Sequence, residues 1–332
     1  MRTGILKILK QHAPAPVSGE MLGKTLGISR TAVWKHIQAL KKEGYQITAF
    51  TKKGYALLEV PDKMLPAEIE EKLHTKFVGR HIHYYESVAS SNDTLKQLAL
   101  EGAEDGTVVV AEEQTGGHGR LHRGWFSPKY QGIWFSVLFK PPFLPQEASK
   151  ITLLSAVAVV RAIRECCHVD AKIKWPNDIL LEGKKLVGIL TEMNAEFGHI
   201  NYLISGIGIN VNVPKEIVPE ELRSFAISIA QVAGHNIDRV ALFAKVLDYM
   251  ESYYEIACRE GFDPVIQEWR KYSTTLGKDV KVIAPDKTYT GKAMDIDTSG
   301  CLVVQRDDTG ELETVLAGDV SIRPVHGKGK YE

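Results

Sequence analysis

Apolar residues recur at helical spacing through the first 60 residues, and polar breaks divide them into three predicted helices. In TGILKILKQH the apolar residues that share one helical face are Ile5, Leu6, Ile8 and Leu9. Thr3 stands where a cap for that first helix is expected. VSGEMLGKTLGISRTAVWKHIQALKKEGY predicts two more helices, with Ser18 and Ser29 as their caps and a tight turn at Gly27 and Ile28 between them. The residues expected to face inward from the third helix are Val33, Ile37 and Leu40.

The segment that follows changes from helical to alternating spacing. YQITAF, TKKG and YALLEV are typical of a strand, a basic turn and a second strand. Three helices with such a hairpin predict a winged helix-turn-helix domain over residues 1–60. Pro61 and Pro66 then bracket VPDKMLPAEI, which we expect to be a linker.

Residues 67–270 alternate between strand and helix patterns. Strands are predicted at HIHYYESV, GTVVVAEEQ, GIWFSVLFK and NYLISGIGINVNV, and GIWFSVLFK is expected to bury alternate residues. Helices are predicted at SSNDTLKQLALEG, SKITLLSAVAVVRAIRECC and DRVALFAKVLDYMESYYEIA. Residues 273–326 hold short strands and tight turns, which favour a small SH3-like β-barrel. The predicted fold class is α+β, with a mixed sheet in the central domain.

The charge is distributed unevenly, although the whole chain has a formal net charge of zero. Residues 1–60 contain ten Lys or Arg and three Asp or Glu, whereas the remainder contains 31 and 38. A basic domain on a mildly acidic body indicates a polyanionic partner for that domain. No run of eighteen apolar residues occurs, and the N-terminus lacks a signal-peptide pattern, so neither a membrane partner nor export is expected. The four cysteines form no C-x-x-C pair, which is typical of reduced thiols in a cytoplasmic protein.

The basic domain offers hydroxyls and cations that suit phosphates and base edges. The residues that the third helix would present to a major groove are Ser29, Arg30, Thr31, Trp34 and Lys35. Lys52 and Lys53 lie at the predicted hairpin turn, within reach of a neighbouring phosphate. The alternative is a structural or protein-binding winged helix with a solvated basic face.

Four short motifs in the body carry candidate chemistry. QTGGHGRLHRGW, residues 114–125, combines four glycines with two arginines, yet it has neither the P-loop pattern nor the dinucleotide fingerprint. KWPND (174–178) supplies a carboxylate, and GKKLVGIL (183–190) supplies a lysine near a glycine. SSN (90–92) supplies hydroxyls at the start of a predicted helix. Each of these motifs alone is more often structural, and no cysteine or histidine cluster predicts a metal site.

Taken together, Q-T-x-G-x-G-R-x-x-R-x-W, K-W-P-N-D, K-x-x-G-I-L and G-I-G-I-N-V behind a winged helix resemble the bifunctional biotin–protein ligases that repress the biotin operon. The resemblance implies ATP and biotin as substrates, Mg²⁺ as helper, and a biotin carboxyl carrier protein as acceptor. It also implies operator DNA as a partner and a homodimer that forms when biotinyl-adenylate binds.

The resemblance also assigns roles to residues. It implies catalysis by Lys185, Arg120 and Asp178. Biotin would contact Ser90, Ser91, Asn92, Gln114, Gly117, Arg120, Lys185 and Gly188, with Trp125, Trp134 and Ile189 as apolar wall. The nucleotide would contact Gly119, Arg120, Arg123, Trp125, Asn177 and Asn210, with Phe225 as a substitute for a missing adenine-stacking tryptophan.

The loop departs from the family pattern at two positions. His118 stands where an arginine is common, and His122 where a glycine or small residue is common. The alternatives are a lipoate or octanoate ligase of the same fold, a regulator that senses biotin without catalysis, and a DNA-binding protein with an unrelated metabolic domain. Ser90, Ser91 and Gln114 favour a urea-bearing ligand over a long-chain acid.

Overall fold

The computed structural model describes residues 1–196, 198–284, 287–317 and 321–324, the last four as backbone only. The chain divides into two compact units, Met1–Lys63 and the part that begins at Met64. Among the described residues, none of the helices has the length and apolar character needed to cross a membrane. All four cysteines are free thiols.

The first unit consists of three helices and a β-hairpin, as the spacing predicts. Its elements are α1 (Arg2–His12), α2 (Gly19–Leu26), α3 (Arg30–Glu43), β1 (Gln46–Phe50) and β2 (Gly54–Glu59). The Ser18 hydroxyl accepts from Met21 N–H and the Ser29 hydroxyl from Ala32 N–H, so both predicted caps are present. The Thr3 cap is wrong, because α1 begins at Arg2 with Met1 before it. Ile8 is only half-buried.

The second unit is built on a mixed sheet of seven described strands. They are β3 (Ile82–Tyr85), β4 (Val108–Ala111), β5 (Gly132–Phe139), β6 (Lys172–Lys174), β7 (Asp178–Leu181), β8 (Lys184–Glu196) and β9 (His199–Asn210). Their order is β3-β4-β5-β9-β8-β7-β6, and only the β3–β4 pair is parallel. The predicted mixed sheet is therefore confirmed.

Helices cover both faces of this sheet. They are α4 (Pro66–Lys72), α5 (Ser91–Leu100), α6 (Ser149–Cys167), α7 (Ile229–Ala233), α8 (Arg239–Glu260) and α9 (Asp263–Tyr272). The helix α6 packs against α8, α9 and β8, whereas α5 packs against β4, β5 and β9. All eight residues of β5 are buried. The predicted alternation of β5 is therefore wrong, because an internal strand covered on both faces has no solvent side.

The segment between the two prolines is only partly a linker. Met64 is fully buried and Leu65 nearly so, and Pro66 opens α4. The Met64 N–H donates to Glu112 Oε1 at 2.6 Å. The second unit therefore begins inside the expected linker rather than after it.

A second, antiparallel sheet contains the strands near the C-terminus. They are β10 (Asp279–Ile283), β11 (Thr288–Ile296), β12 (Leu302–Arg306), β13 (Leu312–Val315) and β14 (Ser321–Pro324), in the order β13-β12-β11-β10-β14. The Trp175 indole N–H donates to Gly300 O at 3.1 Å, and Trp175 N–H donates to Thr275 Oγ1 at 2.9 Å. These bonds tie the KWPND turn to the C-terminal sheet.

A fully buried ion pair joins α8 to the end of β4. Arg239 Nη1 lies 2.9 Å from Glu112 Oε2 and also donates to Gly132 O at 2.9 Å, and neither side chain of the pair is exposed. Because Glu112 also accepts from Met64 N–H, one carboxylate holds both the start of the unit and the base of the glycine-rich loop. Such a pair is costly to break, because the partner left behind is a buried unpaired charge.

We therefore expect Arg239→Met to lower the free energy of unfolding by about 3–5 kcal/mol. The matched control is Arg259→Met, which removes an exposed arginine from its pair with Glu260 and should change stability by less than about 1 kcal/mol. Urea unfolding of the full chain, followed by far-ultraviolet circular dichroism, measures both. Equal losses for the two variants would contradict the importance of the buried pair.

Candidate active site

The floor of the site is bare backbone on two neighbouring strands. Gly188 on β8 pairs with Gly208 on β9, and Gly206 lies two residues before Gly208 on the same face. A Cβ at Gly208 would lie 2.2 Å from Trp125 Nε1, and one at Gly206 would lie 2.0 Å from Asn92 Oδ1. Any side chain at these positions would displace the groups that cover the sheet.

Above this floor lies a cavity of about 470 Å³, a size typical of small-molecule sites. The predicted site residues that line it are Ser90, Ser91, Asn92, Gln114, Gly119, Arg120, Arg123, Trp125, Asn177, Asp178, Lys185, Gly188 and Asn210. They come from five separate segments of the sequence. The structure thus brings nearly all of the predicted biotin and nucleotide contacts to one place, while the role of each remains a prediction.

Two residues expected at the ligand do not line the cavity. Trp134 is completely buried, and its indole N–H donates to Pro128 O at 3.2 Å. Its ring meets that of Trp125 edge-on at 6.5 Å, so it supports the wall from behind. Gly117 also lies outside the lining, packed between Gln114 and the Trp125 carbonyl, where an added Cβ would lie 3.1 Å from each. Ile189 lines the cavity as expected.

Positive side chains from two distant segments meet at one turn. Lys185 Nζ lies 2.7 Å from Asp178 Oδ1 and 5.2 Å from the centroid of the Trp125 ring. Arg120 donates to Asn177 Oδ1 at 3.3 Å and also to the Ala317 carbonyl. Lys185, Arg120, Asn177 and Asp178 all line the same cavity, so the lysine and the arginine both reach it through neighbouring residues of one turn.

The Asn177–Asp178 turn is held rigidly by its neighbours. Asn177 Nδ2 donates to Ile189 O at 2.7 Å, and Ile189 N–H returns a bond to Asn177 O at 3.0 Å. The side chains of Asp178 and Lys185 are 18% and 25% exposed, so their charges are only partly screened by water. At the cavity, the buried Trp125 Nε1 has no hydrogen-bond partner among the described residues, and a ligand could supply one.

In the loop that carries the arginines, the residues with left-handed backbone are not the glycines. Its glycines keep negative or extended φ, whereas Leu121 and His122 have φ of 56° and 53° in the left-handed region. His122 is the position at which the resemblance leads one to expect a glycine or small residue, and its left-handed backbone is a conformation that glycine adopts readily. The rings of His118 and His122 stack with centroids 6.0 Å apart.

The start of α5 forms the opposite corner of the cavity. Ser91 N–H donates to Gln114 Oε1 at 2.8 Å, and Gln114 Nε2 donates to Ser127 Oγ at 3.2 Å. Asn92 directs its amide nitrogen to Glu192 Oε2 at 2.7 Å and to Leu190 O at 3.4 Å. The amide donors of Asn92 are thus used within the protein. Asn92 lines the cavity, and its contact with biotin stays a prediction.

Much of the apolar wall was not predicted from the sequence. The hydrophobic lining residues that were not predicted include Leu121, Phe126, Val213, Val218, Leu222 and Ile227. Most of them lie on irregular segments, where no periodic pattern marks a site. Phe225, which was named, lines the cavity, and its carbonyl accepts the Lys185 backbone N–H at 2.6 Å. The glycines of GIGIN did carry a signal, because Gly206 and Gly208 recur at the period of one strand face.

In the first unit, all of the predicted DNA contacts are exposed to solvent. These residues are Ser29, Arg30, Thr31, Trp34, Lys35, Lys52 and Lys53. Trp34 is 52% exposed, which is unusual for so large an apolar side chain. Arg30 Nη2 lies 3.0 Å from Glu20 Oε2 in a fully solvated pair, which a phosphate could replace at little cost.

Metal-ligating side chains do not cluster in the described part of the chain, where no group of three or more His, Cys, Asp or Glu could hold an ion. Asp178 is the one carboxylate among the described residues that line the cavity. A divalent cation at this site would therefore depend largely on ligands from a bound nucleotide.

Three family models match the chain in order. They are an HTH domain at residues 2–56, the Biotin/lipoate A/B protein ligase family at 84–210, and the Biotin protein ligase C terminal domain at 275–323. The chain is 38% identical over 322 residues to the bifunctional ligase/repressor BirA of Bacillus subtilis, covering 97% of this chain and 98% of that one. It is 31% identical to the bifunctional ligase/repressor BirA of Escherichia coli, with 92% of each chain covered.

A solved structure gives the same relationship. The biotin protein ligase from Aquifex aeolicus, in complex with biotin and ATP, superposes with a TM-score of 0.64 at 27% identity. The match covers 74% of this chain and 99% of that one.

Proposed function

Because the chain belongs to the bifunctional ligase/repressor BirA family, we propose that it is an ATP-dependent biotin–protein ligase that also represses transcription in response to biotin. The observation that carries the proposal is the convergence of Lys185 and Arg120 on adjacent residues of one cavity. The cavity combines these cations with an apolar wall and hydroxyls, as a vitamin with an acidic tail requires.

The first half-reaction joins two anions, the biotin carboxylate and the α-phosphate of ATP. The carboxylate oxygen attacks the α-phosphorus, and the bond to the β-phosphate oxygen breaks, so biotinyl-AMP forms and pyrophosphate leaves. Lys185, Arg120 and Arg123 supply positive charge where these anions approach and where charge develops in the transition state. Mg²⁺ would enter with ATP, bound chiefly by its phosphates, and would neutralise part of their charge.

The remaining contacts divide between the two halves of the intermediate. We assign the biotin ring to the corner formed by Ser90, Ser91 and Gln114, with the backbone at Gly188 beneath it. Gly117 would support this corner through Gln114 rather than contact biotin. The nucleotide contacts that we assign are Gly119, Arg120, Arg123, Trp125, Asn177 and Asn210.

The second half-reaction transfers the biotinyl group to a lysine of the carrier protein. The lysine amine, with an ordinary pKa near 10.4, must lose a proton before it attacks the acyl carbon and releases AMP. We propose that Asp178 orients this amine and accepts its proton. Asp178 already holds one ammonium, that of Lys185, at 2.7 Å. The same carboxylate would hold the ammonium of the carrier lysine.

The direct test is covalent labelling of a biotin carboxyl carrier domain with labelled biotin and ATP. Lys185→Met should lower the rate of biotinyl-AMP formation by on the order of 100-fold, because it removes positive charge from the reacting phosphate. The matched control is Lys184→Met, since Lys184 is the preceding residue of β8 and does not line the cavity.

Lipoate and octanoate serve as competing acids in the same assay. Preferred transfer of either one would identify a lipoate-type ligase. Biotin binding without any transfer would identify a regulator that senses biotin but has no catalytic activity.

A second prediction concerns Asp178. Asp178→Asn should lower transfer by about 100-fold and biotinyl-AMP formation by less than about tenfold, because the carboxylate is needed as a base only in transfer. Asp170→Asn, which changes an exposed ion-paired carboxylate elsewhere in the unit, is the control. Rapid-quench measurement of each half-reaction separates the two rates. Equal losses in both would mean that Asp178 acts by holding Lys185.

For repression, we propose that the first unit binds operator DNA and that biotinyl-AMP promotes a homodimer. A dimer presents two winged helices, so the operator should contain two half-sites. Linkage then requires that DNA binding tighten biotinyl-AMP binding by the same factor as biotinyl-AMP tightens DNA binding. The ligase and repressor activities would both operate in the cytoplasm, where the carrier protein and DNA occur.

We expect Lys52→Ala/Lys53→Ala to weaken operator binding and to reduce the salt dependence of log K by about 2, which corresponds to two lost phosphate contacts. The control is Lys41→Ala/Lys42→Ala, an exposed lysine pair in the last turn of α3, far from the end of that helix that would enter the groove. Gel-shift titrations at several salt concentrations, with and without biotin plus ATP, measure both effects. Equal salt slopes for the two variants, or no response to biotin plus ATP, would contradict the proposed repressor.

A further inference from the structure

A buried chain of hydrogen bonds lies behind the Ser91 corner of the cavity. Ser136 on β5 is completely buried, and its Oγ lies 2.8 Å from Ser91 Oγ and 2.6 Å from Asn92 Oδ1. Asn92 Nδ2 lies 2.7 Å from Glu192 Oε2, and Lys96 Nζ lies 2.9 Å from Glu192 Oε1. The chain thus runs from a surface ion pair to a hydroxyl that lines the cavity.

The donor and the acceptor of each bond follow from the chemistry of the groups. An ionised carboxylate and a backbone carbonyl only accept, so the Asn92 amide must direct its nitrogen to Glu192 and Leu190, leaving its oxygen toward Ser136. That oxygen can only accept, and the Ser136 hydroxyl has a single proton. The Ser136 hydroxyl lies within donor distance of both the Ser91 hydroxyl and the Asn92 oxygen. Because its one proton goes to the Asn92 oxygen, which can only accept, we assign the proton of the 2.8 Å contact to the Ser91 hydroxyl.

We infer that Ser136, Asn92 and Glu192 are positioning residues that fix the Ser91 hydroxyl as an acceptor toward the cavity, so that this corner selects a ligand N–H. The inference rests on the proposed function, in which that group is a ureido N–H of biotin. Biotin has two such donors, whereas a simple fatty acid has none. A ligand that presented an acceptor here would leave two acceptors facing each other without a proton, in a corner where Ser91 is only 4% exposed.

The ion pair at the surface end of this series of hydrogen bonds fixes the direction in which the bonds donate. Lys96 bonds both Glu192 and Asp93, at 2.9 and 3.1 Å. Burial alone would lower the pKa of Lys96, but the hydrogen bonds to Glu192 and Asp93 outweigh it, and the pKa is raised. A charged Lys96 keeps Glu192 in place as an acceptor for Asn92.

The test is a double-mutant cycle on direct biotin binding, measured by isothermal titration calorimetry with the full chain. Ser136→Ala should weaken biotin binding by about tenfold, because the Ser91 proton then has no fixed acceptor. In the Ser91→Ala background the same change should cost less than about threefold, because the hydroxyl that Ser136 orients is absent. The affinity for ATP should stay within about twofold in both variants, which separates positioning from general damage to the site.

The matched control is Ser155→Ala. Ser155 is as deeply buried as Ser136 and makes a single 2.8 Å bond to Ser205, outside the cavity lining. Its loss should leave biotin affinity unchanged. Equal weakening by Ser136→Ala and Ser155→Ala, or a full tenfold effect of Ser136→Ala without Ser91, would overturn the inference.

A ligand-side measurement decides the matter should Ser136→Ala fail to fold. Biotin derivatives methylated at one or the other ureido nitrogen lack one N–H each. One of the two should bind the unaltered protein about tenfold more weakly than biotin, and that penalty should fall to about twofold on Ser91→Ala. An undiminished penalty on Ser91→Ala would overturn the inference, whereas an unaltered protein that binds no biotin would overturn the proposed function itself.

Discussion

The site depends on one steric constraint, which is that three strand positions on the same face of the central sheet have no side chain. Gly188 and Gly208 allow the Trp125 indole to lie directly on the sheet, and Gly206 leaves room for Asn92. The loop of residues 114–125 and the start of α5 can therefore approach the floor from two sides and enclose a cavity between them. Without this open floor, neither Trp125 nor Asn92 could lie so close to the sheet.

The electrostatics follow from that enclosure. A cavity that is to hold a carboxylate beside a phosphate needs positive charge in place before the ligand arrives. Asn177 and Asp178, adjacent on one rigid turn, hold Arg120 and Lys185 in that position. This turn is itself held by hydrogen bonds, from Asn177 to the Ile189 carbonyl and from Trp175 to the C-terminal sheet. The small C-terminal domain thereby contributes to the geometry of the site without adding a described side chain to its lining.

Much of this arrangement could be predicted from the sequence, because the motifs combine regular spacing with reactive side chains. The helical caps at Ser18 and Ser29 and the mixed sheet follow from local pattern. The failures have identifiable physical causes. Burial on both faces removed the expected alternation of β5, and packing of Met64 and Leu65 shortened the expected linker. The apolar wall at Val213, Val218 and Leu222 comes from irregular segments, and the hydrogen-bond chain through Ser136 depends on contacts between residues more than forty positions apart. Neither the apolar wall nor the hydrogen-bond chain follows a periodic pattern in the sequence.

The pairing of Asp178 with Lys185 also bears on the order of the proposed chemistry. At 2.7 Å and with partial exposure, the pair keeps the ammonium extended into the cavity without the full cost of a buried charge. A carboxylate and a phosphate that enter the site would draw Lys185 toward themselves, since two anions outweigh one. Asp178 would then lose its cation, and an approaching carrier lysine could replace it. In this sequence of events the same carboxylate positions a cation in both half-reactions, first the protein's own lysine and then the lysine to be modified, so formation of the intermediate prepares the site for transfer.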